Sequence, residues 1–173
     1  TYTDADVRAL IAADDKQRFE ISEAGTHIRA AQGHTMVGIA DVIGELLTPV
    51  AAPLVAVHGS YIESLESIFS NGLNRMSRHH VHLAKGLLGE AGVISGIRRN
   101  AELFIWVNVR DAIRDGLRFF ESANGVILGD GRDGDGIIPA KYFSVIIELR
   151  GGLRLRPAQV RLLQRAFEGC SRV

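Results

Sequence analysis

The alternation of apolar and polar positions predicts a short helix and a hairpin at the start of the chain. Thr3, with Asp6 three residues later, is typical of a helix N-cap followed by an acidic third position. The apolar stripe behind this cap consists of Val7, Leu10 and Ile11. Residues 18–21 and 26–30 then predict two short strands about a turn at 22–25. A helix followed by a hairpin is typical of the end of a winged-helix unit.

The pattern changes character near residues 48–53, where we place a domain boundary. Residues 41–47 predict a further helical turn, which Pro49 closes. After the boundary, residues 54–57 form an apolar run that predicts a buried strand leading into His58. The predicted lobes are residues 1–50 and residues 51–173.

The second lobe has many predicted strands and few predicted helices. Ser60 and Glu63 form a capping-box pattern ahead of an apolar helical stripe, and Gly72 follows as a C-cap. Further strands are predicted at 81–84, 103–109, 117–120, 125–128 and 143–149. Short helices are predicted at 111–115 and, with proline at the first position, at 157–167. Because few long helices separate the strands, the pattern favours an α+β fold with a mixed, mainly antiparallel sheet over a doubly wound parallel sheet.

Composition excludes several classes of protein. Hydrophobic residues make up 46% of the 173 residues, which excludes a disordered chain. The 20 basic and 20 acidic residues cancel, so a local patch has to recognise any polyanion. With Cys170 as the one cysteine, neither an internal disulfide nor a cysteine-based zinc site is expected. No apolar run has the length of a membrane span, and we expect a cytoplasmic monomer without a membrane partner.

The segment from His79 to Leu83 carries the most distinctive chemistry. It has three imidazoles within four residues, and its alternation predicts a half-buried strand with His80 and His82 on one face. The cations that flank these histidines in the sequence are Arg75, Arg78, Lys85, Arg98 and Arg99. A cluster of imidazoles and cations suits an anionic ligand, most simply a phosphorylated one.

Residues 129–136 match two ligand-binding patterns, and both lack a required part. The stretch fits G-x-G-x-x-G after a strand, but no helix is predicted behind it to hold a pyrophosphate. Its three aspartates suggest calcium, but Lys141 and Ser144 stand where an EF-hand needs its closing acid. We interpret the stretch as a glycine-rich hairpin connection without chemistry.

The residues suggest two hydrolase classes as well. His80 and His82 could chelate zinc from one strand face with His58 as a third ligand, but no carboxylate lies close by in sequence and the nearby cations repel a metal. Ser60 beside His58 could act as a nucleophile, but neither an acid to orient the base nor a nucleophile turn is present. We therefore expect no metal site.

Six segments along the chain form an ordered set of motifs. They are 15–19 (Asp-Lys-Gln-Arg-Phe), 28–34 (Ile-Arg-Ala-Ala-Gln-Gly-His), 58–60 (His-Gly-Ser), 76–83 (Met-Ser-Arg-His-His-Val-His-Leu), 95–98 (Ser-Gly-Ile-Arg) and 119–126 (Phe-Phe-Glu-Ser-Ala-Asn-Gly-Val). Together they resemble the RNA 2′-phosphotransferase family, over residues 3 to about 149. The run at 76–83 is the most specific; the shorter motifs carry weight through their order.

The resemblance implies an N-terminal winged-helix lobe for RNA and a C-terminal ADP-ribosyltransferase fold for NAD. It implies that a 2′-phosphate is removed from the splice junction of tRNA in two steps. The phosphate first attacks the nicotinamide ribose and expels nicotinamide, which gives an ADP-ribosylated phosphate. The ribose 2″-hydroxyl then attacks the phosphorus, which releases the RNA and ADP-ribose 1″,2″-cyclic phosphate. NAD is thus consumed as a co-substrate.

The resemblance also implies roles for individual residues. The catalytic set would be Arg18, Arg78, His82 and Arg98. The NAD-binding set would be His58, Gly59, Ser60, His82, Leu83, Ser95, Gly96, Ser122, Asn124, Gly125 and Val126. The set for the substrate phosphate and RNA would be Lys16, Arg18, Arg29, Gln32, His34, Arg75, Arg78, His80 and Arg98. Val126 stands where many ADP-ribosyltransferases have glutamate, which suits an acceptor that is already an anion.

The chain departs from the family pattern at two places. Ser60 replaces the usual threonine and keeps the hydroxyl. The family's Arg-His pair, in a Leu-Arg-His context, does not precede residue 15, and because the chain begins at Thr1 instead of Met we expect upstream sequence to supply it. Two alternative functions stay open: ADP-ribosylation of a terminal phosphate on nucleic acid without the second step, and a non-catalytic module that binds RNA phosphate.

Overall fold

The fold joins short helices to antiparallel sheets. The structure is a computed structural model that describes residues 2–31, 45–49, 51–87, 89–91 and 93–148. Every strand pairing among these residues is antiparallel, and the described helices are short. The predicted α+β class with mainly antiparallel pairing is therefore confirmed, while the winged-helix and ADP-ribosyltransferase assignments stay predictions. None of the described helices has the length and apolarity that crossing a bilayer requires.

The first elements are the predicted helix and hairpin. Helix α1 (Asp4–Ala12) begins at a capping box, in which the Thr3 hydroxyl accepts from the Asp6 amide at 3.3 Å and the Asp6 carboxylate accepts from the Thr3 amide at 2.8 Å. Strands β1 (Phe19–Ile21) and β2 (Ile28–Ala30) then pair about a turn. Both predictions are confirmed, although α1 contains no buried residue.

The segment before the predicted domain boundary corrects one prediction. Strand β3 (Glu45–Leu46) stands where the last part of a helical turn was predicted at 41–47, and residues 41–44 lie outside the described part. A strand forms here instead of a helix because its backbone pairs with residues 120–121. Next to it, the buried Leu47 donates its amide to the Phe119 carbonyl at 2.8 Å. Residues 45–47 thus pack with the second predicted lobe.

Two larger sheets and one strand pair make up the rest of the described fold. The strands are β4 (Val55–Ser60), β5 (Leu73–Asn74), β6 (Val81–Leu83), β7 (Leu103–Asn108), β8 (Arg118–Glu121), β9 (Ile127–Gly131), β10 (Ile137–Ile138) and β11 (Phe143–Glu148). Their orders are β11-β7-β4 in one sheet, β3-β8-β9-β6 in the other, and β10-β5 in the pair. The predicted strands are confirmed within one or two residues at most ends; residue 149 and the predicted helix at 157–167 lie outside the described part.

Two further helices differ in how well the sequence predicted their starts. Helix α2 (Leu65–Asn71) ends as predicted at Gly72, whose φ of 81° suits glycine. The predicted capping box at Ser60 is wrong, because Ser60 is the last residue of β4 and its carbonyl accepts from the Glu102 amide at 2.9 Å. A 3₁₀ turn (Ile62–Ser64) precedes α2 instead. Helix α3 (Val109–Arg114) confirms the predicted turn at 111–115 and is capped by Asn108.

Burial of strand β6 differs from the sequence prediction. All three of its residues, Val81, His82 and Leu83, are buried, so the predicted half-exposed strand is wrong. One face of the strand packs in the main core, which includes Val81, Leu83, Leu103, Phe119 and Ile127. The other face carries His82, which is buried with 8% exposure, opposite the fully buried Leu128. Polar character on this strand therefore marks a covered surface and not a solvated one.

The glycine-rich stretch after β9 is a tight turn. The Gly136 amide donates to the Asp130 carbonyl at 2.8 Å, and no helix follows before β10, as expected. The hairpin interpretation is wrong, however, because β10 pairs with β5 and not with β9. The turn carries the chain from one sheet to a separate strand pair.

Candidate functional site

The edges of the two larger sheets meet at a single backbone bridge. Val57 of β4 and Ala84, next to β6, exchange two amide–carbonyl hydrogen bonds of 2.8 Å. In a continued antiparallel ladder, the next bonded pair would be Gly59 and His82. Among the described residues that pairing is not made, and His58 Nδ1 bonds the His82 carbonyl oxygen at 2.9 Å instead. An imidazole therefore separates the two strands where a ladder would have closed them.

The hydrogen bonds of the two histidines determine which ring nitrogen carries the proton. His58 Nδ1 faces the His82 carbonyl, and His82 Nδ1 faces the His80 carbonyl at 3.0 Å, so in both rings Nδ1 is the donor. In the neutral ring, Nε2 then carries a lone pair. His82 Nε2 is buried and has no hydrogen-bond partner among the described residues. The site therefore holds an acceptor that is unsatisfied and ready for an O–H or N–H donor of a ligand.

Both rings are held in the neutral form. Burial, followed by the positive charge of Arg78, lowers the pKa of His82 to about 4. Burial also lowers the pKa of His58, to which the charges of Arg98 and Arg78 contribute. At neutral pH the two imidazoles thus accept hydrogen bonds but carry no charge.

Arg98 is fixed above an aromatic ring beside these histidines. Its guanidinium lies 5.6 Å from the centroid of the Tyr61 ring and donates from Nη1 to the Tyr61 hydroxyl oxygen at 3.3 Å. The same hydroxyl donates to Asn100 Oδ1 at 3.3 Å. Arg98 and Arg78 are both exposed and both act electrostatically on His58. The structure therefore brings together two histidines of the predicted NAD-binding set, His58 and His82, and two of the predicted arginines.

Two glycines allow the segment that carries Arg98 to pack directly on the strands. A Cβ on Gly59 would lie 2.7 Å from Ile97 Cγ2 and 3.0 Å from Ala101 Cβ. Gly96 has φ of 104°, and a Cβ there would lie 2.9 Å from Ala84 Cα. These close approaches explain why glycine is needed at both positions for packing. Neighbouring Ser60 and Ser95 are buried.

The N-terminal turn brings Arg18 toward the same region. Asp14, whose side chain is 4% exposed, accepts from Arg18 Nη2 at 2.8 Å and from the Arg18 amide at 2.7 Å. These hydrogen bonds lower the pKa of Asp14 to about 2. Asp15 pairs with Arg99 at 2.8 Å, next to Arg98. The turn with Arg18 and the segment with Arg98 are therefore neighbours, although 80 residues separate these arginines in the sequence.

Several residues of the predicted NAD set are buried in the core or bond to the protein itself. The side chain of Leu83 is in the main core, and Val126 is fully buried. The Ser122 hydroxyl donates to Asn124 Oδ1 at 2.7 Å and accepts from the Val126 amide at 3.0 Å. Among the described residues, the space where a Gly125 side chain would stand is open. For these positions, NAD binding stays a prediction.

The predicted RNA set is spread more widely. Arg29 pairs with Glu20 across the hairpin at 2.6 Å, and the Arg75 guanidinium donates to the Arg78 carbonyl at 2.7 Å. His80 is buried with its ring edge-on to Phe120 at 5.7 Å. Of the other members, Arg78 and Arg98 lie beside His58, and Lys16 and Arg18 lie in the N-terminal turn. Gln32 and His34 lie outside the described residues. Their contacts with RNA stay predictions.

Sequence reasoning missed two residues that shape the site. Tyr61 supports Arg98, and Asp14 holds Arg18. The signal for Asp14 was its position four residues before Arg18, which is the spacing of a local ion pair. No sequence pattern pointed to Tyr61, because its contact with Arg98 depends on the fold. Over the described part of the chain, no group of three His, Cys, Asp or Glu side chains could hold a metal ion.

The buried neutral histidines predict a loss of stability in mild acid. His82 has an ordinary pKa of 6.5 and a folded pKa of about 4, so the unfolded chain binds more protons between these values. Stability is thus full above pH 6.5 and falls as the pH drops toward 4. At 1.36 kcal/mol per pKa unit, the protonation of His82 should lower the free energy of unfolding by about 2 kcal/mol between about pH 7 and pH 5.

Urea unfolding at these two pH values, for the wild type and His82→Asn, measures this cost. The variant should lose less stability on acidification than the wild type does. His27→Asn, at an exposed position of the hairpin, is the matched control and should behave like the wild type. Equal pH dependence of His82→Asn and wild type would contradict the assignment.

The geometry places two neutral imidazoles beside the exposed guanidinium groups of Arg98 and Arg78 where two sheets meet, a combination that suits a ligand with both hydroxyl and anionic groups. The chain belongs to the RNA 2′-phosphotransferase family, because the sequence model of the family described as "RNA 2'-phosphotransferase, Tpt1 / KptA family" matches residues 1–131. The family that the sequence motifs predicted is thereby confirmed.

Similar proteins carry corresponding names. The chain is 41% identical over 154 residues to "tRNA 2'-phosphotransferase 1" of Bos taurus, covering 87% of this chain and 60% of that protein. It is 44% identical over 145 residues to the protein of the same name from Danio rerio, with 80% and 64% covered. It is 31% identical over 158 residues to "tRNA 2'-phosphotransferase" of Saccharomyces cerevisiae, with 86% and 65% covered. The chain thus spans about 60% of the length of the Bos taurus protein.

Proposed function

We propose that the gene product is an NAD-dependent RNA 2′-phosphotransferase that removes the splice-junction 2′-phosphate from tRNA. The observation that carries the proposal is the pair His58 and His82, with lone pairs on Nε2, beside the exposed guanidinium groups of Arg98 and Arg78. Relatives named tRNA 2′-phosphotransferase support the substrate. In this proposal residues 1–50 form the winged-helix lobe for RNA, and residues 51–173 form the ADP-ribosyltransferase-like lobe for NAD in a cytoplasmic monomer.

The hydrogen-bonding and charged groups of the candidate site fit NAD. The hydroxyl groups of the nicotinamide ribose are neutral donors, and His82 Nε2 is a neutral buried acceptor without a partner among the described residues. His58, which is half-buried, offers a second lone pair on Nε2, and Ser60 lies at the end of the same strand. The pyrophosphate of NAD and the RNA phosphate both need cations, which Arg98 and Arg78 supply. A charged imidazole would suit a ribose hydroxyl less well, because it has no free lone pair.

The first proposed step is substitution at the ribose. An oxygen of the RNA 2′-phosphate forms a bond to the anomeric carbon, and the carbon–nitrogen bond to nicotinamide breaks. Nicotinamide leaves as a neutral molecule with the bonding electron pair. The phosphate is already an anion, so the step requires no base and depends on alignment of the two reactants. Val126, where related folds have an acid, agrees with this requirement.

The second proposed step is transfer of the phosphoryl group. The ribose 2″-hydroxyl oxygen bonds to phosphorus, and the bond from phosphorus to the RNA 2′-oxygen breaks. The hydroxyl proton ends on the RNA oxygen, so the products are RNA with a free 2′-hydroxyl and ADP-ribose 1″,2″-cyclic phosphate. Negative charge spreads over the phosphate oxygens in the transition state, which fixed guanidinium groups stabilise. Arg98 and Arg18 have that role in the proposal, with Arg78 as a further cation.

Product analysis with matched oligonucleotides tests the function. We expect the gene product and NAD to convert a short RNA with one internal 2′-phosphate into RNA with a free 2′-hydroxyl. Nicotinamide and the cyclic phosphate of ADP-ribose should form in equal amounts. The same RNA without the 2′-phosphate should bind more weakly and consume no NAD, because its recognition lacks the charge-assisted contacts.

The other outcomes separate the alternatives. A stable ADP-ribosylated RNA end would indicate an ADP-ribosyltransferase for terminal phosphates. Binding of the phosphorylated RNA without NAD consumption would indicate a non-catalytic module. A chelator should leave turnover unchanged; loss of turnover that zinc restores would contradict the metal-free mechanism. Affinity should fall only shallowly with salt, because few phosphates are contacted.

A further inference from the structure

Asn124 uses both ends of its side chain inside the protein. It is 4% exposed and lies between β8 and β9. Its Oδ1 accepts from the Ser122 hydroxyl at 2.7 Å, and its Nδ2 donates to the Lys16 carbonyl at 3.0 Å. Because the Lys16 carbonyl can only accept, the Nδ2 end of the amide faces it, which leaves Oδ1 toward the Ser122 hydroxyl. The bond between Asn124 and Lys16 joins residues 108 positions apart.

The accepting carbonyl belongs to the turn that carries Arg18. Asp14 organises this turn by accepting from the Arg18 amide at 2.7 Å and from its guanidinium. Gln17 has a positive φ of 47°, which is uncommon outside glycine and indicates a tightly specified turn. The Lys16 carbonyl thus has a defined direction relative to the Arg18 side chain.

The second link between this turn and the rest of the site is weaker. The pair of Asp15 and Arg99 is exposed on both sides, with 68% and 74% of the side chains accessible. Exposed ion pairs contribute little and are screened by salt. The buried amide of Asn124 is therefore the stronger link, because breaking it leaves a carbonyl or an amide without a partner in a covered place.

We propose that Asn124 is a positioning residue that holds the 14–18 turn, and through it Arg18, against the phosphate site. This inference rests on the proposed function, in which Arg18 binds the substrate phosphate. It replaces the role as an NAD ligand that the family resemblance implied for Asn124. The amide acts on the reaction through the Lys16 carbonyl and touches neither NAD nor RNA.

A double-mutant cycle tests the link between Asn124 and Arg18. Asn124→Ala should lower kcat/KM for the 2′-phosphorylated RNA about tenfold, the effect of one lost buried hydrogen bond. The affinity for NAD should change by less than about twofold, because in this proposal Asn124 does not contact NAD. In an Arg18→Ala background, the same substitution should change kcat/KM by less than about twofold, because the residue it positions is gone.

Two further variants separate positioning from general stability. Asn108→Ala removes the N-cap of α3 and should lower stability without lowering kcat/KM selectively. Asn124→Asp keeps the shape but turns the donor into an acceptor that faces a carbonyl, so it should resemble Asn124→Ala. Amide hydrogen exchange of residues 14–18 should become faster in Asn124→Ala than in Asn108→Ala.

The outcomes decide between the parts of the inference. Additive effects of Asn124→Ala and Arg18→Ala, or a larger loss of NAD affinity than of RNA turnover, would overturn the positioning role. Unchanged exchange at residues 14–18 would overturn the tether itself. If the wild type does not turn over phosphorylated RNA, the proposed function fails, and the exchange measurement still decides whether Asn124 holds the turn.

Discussion

Replacing Arg98 by alanine should reduce turnover of 2′-phosphorylated RNA by about 100-fold or more, as expected from loss of two charge-assisted hydrogen bonds. The guanidinium is exposed and lies over Tyr61, and its charge contributes to the lowered pKa of His58. It is therefore placed to contact a phosphate beside His58 and His82. Arg98→Lys should restore only part of the activity, because an ammonium group cannot form the planar, two-point contact of a guanidinium.

The measurement is kcat/KM with the phosphorylated oligonucleotide, together with the affinity for NAD by calorimetry. Arg114→Ala is a matched control, because Arg114 is exposed and pairs with Asp111 on α3. It should leave both values unchanged. Turnover of Arg98→Ala close to that of the wild type would show that Arg98 does not bind the transferred phosphate.

Gly96→Ala should lower the free energy of unfolding by about 2–4 kcal/mol, the combined effect of an unfavourable φ and a crowded methyl group. The residue has φ of 104°, and a Cβ would stand 2.9 Å from the Leu83 carbonyl oxygen and 2.9 Å from Ala84 Cα. Backbone atoms of a paired strand cannot move aside as a flexible side chain can. The segment that carries Arg98 would have to move instead.

Urea denaturation of Gly96→Ala and Gly89→Ala separates the two effects. Gly89 has a similar φ of 95°, but none of the described atoms lies within 4 Å of the position of its Cβ. Its substitution should therefore cost about 1 kcal/mol, from the backbone conformation alone. Equal costs at the two positions would mean that the close approach to β6 contributes nothing.

Local signals in the sequence predicted the elements whose stability is local. Thr3 and Asp6 cap α1 as the spacing indicated, and Gly72 ends α2 as predicted. The prediction was wrong where distant pairing decides. Ser60 fits a capping box, but it is used by the β4–β7 ladder, whose partner lies more than 40 residues away. Glu45–Leu46 likewise becomes a strand because residues 120–121 offer it a partner.

The candidate site was predictable where its residues belong to short sequence motifs. The histidines and Arg98 stand out as residue types, and the structure brings His58, His82 and Arg98 together. Their states were not predictable, because the neutral form depends on burial and on carbonyl partners across the bridge between β4 and β6. The hydrogen bond from Asn124 to the Lys16 carbonyl was also not predictable, because it joins residues 108 positions apart and depends on the fold.

The single bridge at Val57 and Ala84 has a consequence for how a bound molecule affects the whole protein. Apart from side-chain packing, each sheet keeps its own ladder, so the backbone offers little cohesion across the seam between β4 and β6. A molecule that donates hydrogen bonds to Nε2 of both His58 and His82 crosslinks the two sheets there. Its binding free energy then adds to the stability of the folded chain, because it connects two sheets that backbone hydrogen bonds join at one bridge.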